Sequence, residues 1–174
     1  MQTLKSPAAV SEAALQGLDK TTGELYVIDT HNDNAGVIEG KAWPLIPSGI
    51  YQAVFMHHET AVAFNVPRVY LHMKLVTPGE HYGQVLYRAY RVKSTSGRNR
   101  KGAAFKVSLR SDYVREMAIL LNLQRLDRIS PLALKNKIIR VRVDEVIKDH
   151  KQREMPKALR YSVIRELLSV EAGS

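Results

Sequence analysis

The feature that most constrains this chain is an alternation: Val69, Leu71, Met73 and Leu75 fall on one parity, and Tyr70, His72 and Lys74 on the other. A period of two sends the two sets to opposite faces of a strand, one dry and one carrying rings and bases. Two similar runs flank it, about Ile50–Glu59 and Gln84–Val92. Both are rich in β-branched and aromatic residues and bounded by Gly, Pro or Asn. Three consecutive antiparallel strands are the expectation.

The connection from Thr60 to Pro67 reads as a loop longer than a tight hairpin, with Phe64 and Arg68 placed to reach over a groove. Pro78–Gly83 reads as a turn. Strand three is ambiguous in register. Tyr87 and Arg91 share one face and Arg88 and Tyr90 the other, so Arg88 and Tyr90 join Tyr70 in one register only. His57 and His58 are adjacent and point to opposite faces. His57 and His72 can meet across the sheet, but without a clear third ligand they make a weak metal site. No metal and no cofactor is expected.

Downstream, Ser111 is placed to cap a helix from Asp112 to about Asn122, with Val114, Met117, Ala118 and Leu121 on its inner stripe. Ser130-Pro131 starts a short helical turn that Asn136 can end. Lys137–Val146 reads as a fourth strand with Ile139, Val141 and Val143 inward and Arg140, Arg142 and Asp144 outward. A polar, mainly basic loop, 148–157, leads to a last strand, Tyr161–Leu168. Three strands, a helix and two strands is the order of the OB-fold, a five-stranded β-barrel with its helix between strands three and four. The expected class is therefore mainly β and OB-fold-like over residues 47–168. Residues 1–46 read as an N-terminal extension with a short helix after Ser6-Pro7, a strand near 24–29 and an Asx-type loop at His31–Asn34; Trp43 is read as a docked apolar anchor. Residues 169–174 are a tail.

Charge is segregated along the chain. Residues 84–165 hold 21 Lys/Arg against 7 Asp/Glu, a balance of +14, whereas residues 1–83 carry −3 and residues 166–174 carry −2. Such a split points to a polyanion, although an acidic protein surface accounts for it equally well. The chain has no cysteine, which excludes disulfides, thiolate metal sites and a Cys nucleophile. No apolar run of membrane-spanning length and no leader is read, so no membrane partner is expected and the expected compartment is the cytoplasm of a bacterial host. Asp144-Glu145 with Lys148 is the nearest approach to a nuclease site. Adjacent strand residues diverge, however, and salt-bridged surface carboxylates account better for the pair. No phosphate-cradling Gly-rich motif or nucleophile elbow is present, and no enzymatic activity is expected.

Ser48-Gly-Ile-Tyr-Gln-Ala53, the Val69–Leu75 alternation, Gly79-Glu-His-x-Gly83, the helix and Leu134–Val143 together resemble phage- and integrative-element-encoded OB-fold single-stranded DNA-binding proteins of recombination and replication modules. The resemblance covers about residues 47–168 and rests on turn glycines and strand hydrophobics. It implies a non-catalytic protein that protects or presents single-stranded DNA. The acidic, partner-recruiting tail of bacterial single-strand binders is missing, since residues 166–174 hold two acids.

An OB-fold binds on its strand two–three face, framed by the loops joining strands one to two and four to five. The expected nucleic-acid contacts are accordingly Tyr70, His72, Lys74, Arg88 and Tyr90 on the sheet. Arg98, Arg100 and Lys101 follow in the Ser94–Lys106 loop, Arg140 and Arg142 on strand four, and Lys148, Lys151 and Arg153 in the last loop. Single-stranded DNA is the expected partner, with RNA not distinguished from it and with recombinase or replication proteins and a homo-oligomer as further partners. The alternative is a protein-interaction module, a recombinase partner or an inhibitor of a nucleic-acid enzyme, that binds no DNA itself.

Overall fold

A computed structural model of the chain describes residues 43–96, 100–126 and 128–171. The helix, strand and His31–Asn34 loop expected before Trp43, Arg98, and the end of the tail lie outside the described residues.

The fold is mainly β, as expected. Its strands are β1 (Gly49–Ala63), β2 (Val66–Leu75), β3 (Val85–Arg91), β4 (Ser94–Thr95), β5 (Arg100–Lys101), β6 (Phe105–Lys106), β7 (Ile138–Val146) and β8 (Tyr161–Val170). Among the described residues one α-helix, α1 (Asp112–Leu120), stands between β6 and β7. The main antiparallel sheet runs β3-β2-β1-β7-β8, with β5 on β1; β4 and β6 form a separate ribbon. Among the described residues no pairing joins β3 to β8, so the sheet is open at that seam and the closed barrel of the expectation is not formed by its ladders.

The dry parity of β2 is completely buried: Val69, Leu71, Met73 and Leu75 all have 0% exposure. Ile139, Val141 and Val143 match them from β7, and Phe55, Leu86, Tyr90, Ile164 and Leu167 fill the same core. Each of these strands buries one face only, which is why a period of two suffices to specify it. Helix α1 closes the open side. Ser111 accepts a hydrogen bond from the Val114 amide and caps it, and Tyr113, Val114, Met117 and Leu120 are its buried residues. The inner stripe is thus shifted from the expected one: Tyr113 and Leu120 are buried, while Ala118 is only partly so. Ser130 caps the short 3-10 turn Pro131–Leu134, and Asn122 and Asn136 take positive φ (47° and 58°) where the two helical segments end.

β1 departs from the expectation in two ways. First, it runs on to Ala63 and β2 begins at Val66, so the expected long loop is a two-residue turn, Phe64-Asn65, with φ of 51° and 60°. Positive φ at both central residues makes a primed hairpin turn, whose twist suits paired strands. Second, a bulge between Phe55 and His57 inserts Met56 into the ladder with β2. Before it, Ala53 and Phe55 point inward; after it, His58 and Thr60 do. One extra residue has exchanged the faces of everything beyond it.

Candidate nucleic-acid interface

The open seam is fastened by one carboxylate. Glu116, on the side of α1 that meets the sheet edges, bonds Arg88 through both oxygens and accepts from the Tyr90 hydroxyl at 2.8 Å; these two residues belong to β3. It also accepts from the Leu167 amide of β8 at 3.3 Å. The Glu116 side chain is 13% exposed and that of Arg88 17%, so the ion pair is largely withdrawn from water. Arg88 also lies over the Tyr90 ring, 4.5 Å from its centre.

This arrangement corrects the expectation for β3. The pairing His72↔Tyr87 and Tyr70↔Ala89 puts Tyr87, not Tyr90, on the face of Tyr70. Tyr90 is 2% exposed and sits edge-on to Tyr113 in the core, where it offers no face to a base. Arg88 reaches the seam with its charge already committed to Glu116.

Outside the seam runs an open groove of about 680 Å³. Its floor is Tyr70 of β2, Tyr87 and Ala89 of β3, and Tyr161 and Val163 of β8. Its rims are the β1–β2 turn, through Ala63 and Phe64, and the β7–β8 loop, through Ile147, Lys148, Asp149, His150 and Gln152. The two rims touch, because the rings of Phe64 and His150 stack nearly parallel with centres 4.8 Å apart. Tyr70 and Tyr87 meet edge-to-face at 5.3 Å, and Trp43 leans on Tyr87 at 5.5 Å and lies 6.3 Å from Tyr161. Trp43 is 59% exposed, so it is less a docked anchor than a ring presented beside the groove. Burial raises the hydroxyl pKa of Tyr70 and, more strongly, of Tyr87, where Tyr161 adds to the effect; both stay neutral donors.

The groove's charge is basic: Arg68, Arg88, Lys148 and Arg165 line it against Glu145 and Asp149. Two of these four cations are occupied, Arg88 by Glu116 and Arg165 by Asp144. Arg165 pairs with Asp144 at 3.7 Å, and outside the lining Arg160 pairs with Glu145 at 3.6 Å. Both carboxylates of the Asp144-Glu145 pair thus face arginines. Arg68 is different. Its Nε is buried with no hydrogen-bond partner, and no described carboxylate pairs with it, although it lies close enough to Tyr70 and Tyr87 to bias both hydroxyls. A buried, unsatisfied guanidinium nitrogen is costly and calls for a partner.

The expected contact residues are therefore divided. Tyr70, Lys148 and, with its charge held by Glu116, Arg88 line the groove. His72 and Lys74 are on the same outer face of β2 but beyond the groove. Lys151 and Arg153 are exposed in the β7–β8 loop, Arg153 paired with Asp149 at 2.8 Å. Arg140 and Arg142 project from β7 outside the groove lining, Arg142 bound to Glu166 at 2.6 Å. Arg100 and Lys101 are exposed but not in a free loop, since β5 lays them against Thr60 and Glu59 of β1. Tyr87, Tyr161, His150 and Arg165 escaped sequence reasoning. The only trace of them was the Tyr87/Tyr90 ambiguity and the outward parity of Tyr161 and Arg165 on the last strand.

No protein-family model, no curated protein and no solved structure matches this chain. Among the described residues, no helix is long and apolar enough to cross a membrane.

Proposed function

We propose that the domain is a non-catalytic binder of single-stranded nucleic acid, DNA in the first instance, and that the strand lies in the groove along the β3/β8 seam. The observation that carries this reading is Arg68, whose Nε has no hydrogen-bond partner and which lines the groove together with Tyr70, Tyr87 and Tyr161. A phosphate supplies the missing acceptor for Arg68, and rings beside it give successive bases a surface to stack on. The chain order β1-β2-β3-α1-β7-β8, with the groove framed by the β1–β2 turn and the β7–β8 loop, agrees with the way an OB-fold presents its ligand site. Single strands suit this groove better than duplex because stacking needs unpaired base faces. The same reading extends to the biological role suggested by the sequence resemblance, protection or presentation of single-stranded DNA in a mobile element's replication or recombination inside a bacterial host.

The test is the affinity of Arg68→Gln and Tyr161→Ala for a labelled oligothymidine, with folding checked by thermal unfolding. Loss of one stacking ring costs ~1–3 kcal/mol, and loss of Arg68 should flatten the salt dependence by about one phosphate contact. Wild-type affinity in both folded variants contradicts the assignment of the groove. If the wild-type chain binds no oligonucleotide but retains one protein in a pull-down, the basic face serves a protein partner instead.

A further inference from the structure

The bulge at Met56 does more than bend β1. By exchanging faces it brings His57 and Glu59 to the outer side of the sheet, where His57 is opposite His72 and Glu59 is opposite Tyr70 in the ladder with β2. The two imidazoles stack 4.6 Å apart at 11°, and His72 Nε2 lies 3.6 Å from Glu59 Oε2. One donor atom from each of His57, Glu59 and His72 falls within 4.8 Å of the others. We propose that His57, Glu59 and His72 form a site for a divalent first-row transition metal, Zn²⁺ being the best fit.

The donor chemistry favours this class. Two neutral imidazoles and one carboxylate are borderline-to-hard ligands that suit Zn²⁺, Co²⁺ and Ni²⁺, whereas Ca²⁺ and Mg²⁺ prefer oxygen alone. Burial depresses the proton affinity of both histidines; Lys101 adds to the effect on each and His57 adds to it at His72, while Glu59 acts in the opposite sense on both without reversing the direction. They therefore present free lone pairs rather than imidazolium at neutral pH. A tetrahedral ion with bonds near ~2.0–2.1 Å needs donors roughly 3.4 Å apart. The His72–Glu59 pair, at 3.6 Å, is close to that spacing, and His57 joins it by turning its ring out of the parallel stack on His72, so that both in-plane lone pairs meet at the ion, within a partly exposed cluster. Three protein donors leave at least one position open to water or an anion.

Lys101 is the nearest like charge to a bound cation. β5 places it directly opposite Glu59, and its charge acts on both histidines. Its positive charge opposes a bound cation, so removing the lysine charge should tighten the site. That dependence separates this site from a chance histidine pair elsewhere, and it does not rest on the nucleic-acid reading.

The experiment is titration of the full chain with Co²⁺, followed by its visible d–d absorption, and with Zn²⁺ by calorimetry. Thermal unfolding of every variant serves as the control for folding. The expected result is one equivalent bound, an affinity at least about tenfold weaker in folded His57→Gln, Glu59→Gln and His72→Gln, and a severalfold gain in Lys101→Gln. Zn²⁺ should also raise the Tm of the wild type and not that of His72→Gln. No saturable binding, or binding that survives His72→Gln unchanged, overturns the site; the second outcome assigns the metal to other surface histidines. Unchanged affinity in Lys101→Gln refutes the opposition of the Lys101 charge to the bound ion.

Discussion

Phe64 is the residue at which fold and proposed function pull in opposite directions. It occupies the first central position of a two-residue hairpin turn at φ 51°, a left-handed conformation that a bulky side chain adopts at a cost of about 1–2 kcal/mol. Its ring is 74% exposed, so little burial offsets that cost; among the described residues its ring contact is the stack on His150. Two variants divide the contributions. Phe64→Ala and Phe64→Asn both delete the ring, but Asn tolerates the left-handed region and Ala does not. Phe64→Asn should therefore be the more stable of the two by ~1 kcal/mol, or about 2–4 °C in Tm for a chain of this size. Both should bind oligothymidine more weakly by ~1–3 kcal/mol, about 5- to 150-fold, because each has lost one stacking ring. Urea or thermal unfolding reads the first effect and fluorescence anisotropy at fixed salt the second. Equal stability of the two variants would refute the backbone argument. Wild-type affinity in both would remove the hairpin tip from the interface.

Glu116→Gln leaves the largely withdrawn Arg88 without its counter-charge at the β3/β8 seam; a loss of ~3 kcal/mol in urea unfolding is expected, the lower end for a buried pair because neither side chain is completely buried. A loss below about 1 kcal/mol would mean that the seam is held by apolar packing alone. Asp149 organises the β7–β8 loop by accepting from the Arg153 and Lys151 amides and the Arg153 guanidinium, and these bonds hold its pKa below the ordinary 3.8. Since the folded value is the lower one, the loop's order is fully supported above pH 3.8 and is lost as pH falls through the depressed value. Amide exchange at Lys151 and Arg153 should accelerate there, and Asp149→Ala should show the faster exchange already at neutral pH; protection unchanged in that variant would contradict the role.

How much of this is legible in the sequence depends on the range over which each signal acts. The dry parity of β2, the inward Ile139, Val141 and Val143, and the caps at Ser111 and Ser130 are local patterns, and the structure places them where the pattern does. The bulge at Met56 has no local signature, yet it decides which of His57 and His58 faces out and whether Glu59 joins His72. The β3 register is open in the sequence for a related reason: each face offers one Tyr and one Arg, so polarity does not tell Tyr87 from Tyr90. What decides it is Glu116, more than 25 residues downstream, which satisfies Arg88 and Tyr90 together on the inner side. A single Glu on a helix flank reads as solvated until its neighbours are known. Phe64-Asn65 reads as part of a longer loop because the residues usual in a primed turn are Asn-Gly or Asp-Gly.

The central claim is that the groove beside Arg68 takes a single strand. The most direct measurement is fluorescence anisotropy of the full chain with a labelled oligothymidine of ~30 nucleotides and with a duplex of matching length, each across a salt series. The account predicts tight binding to the single strand, much weaker binding to the duplex, and a log–log salt slope of roughly −2 to −4, the value for about three to five phosphate contacts. Equal affinity for duplex, a salt-independent complex, or no binding at low salt would contradict it.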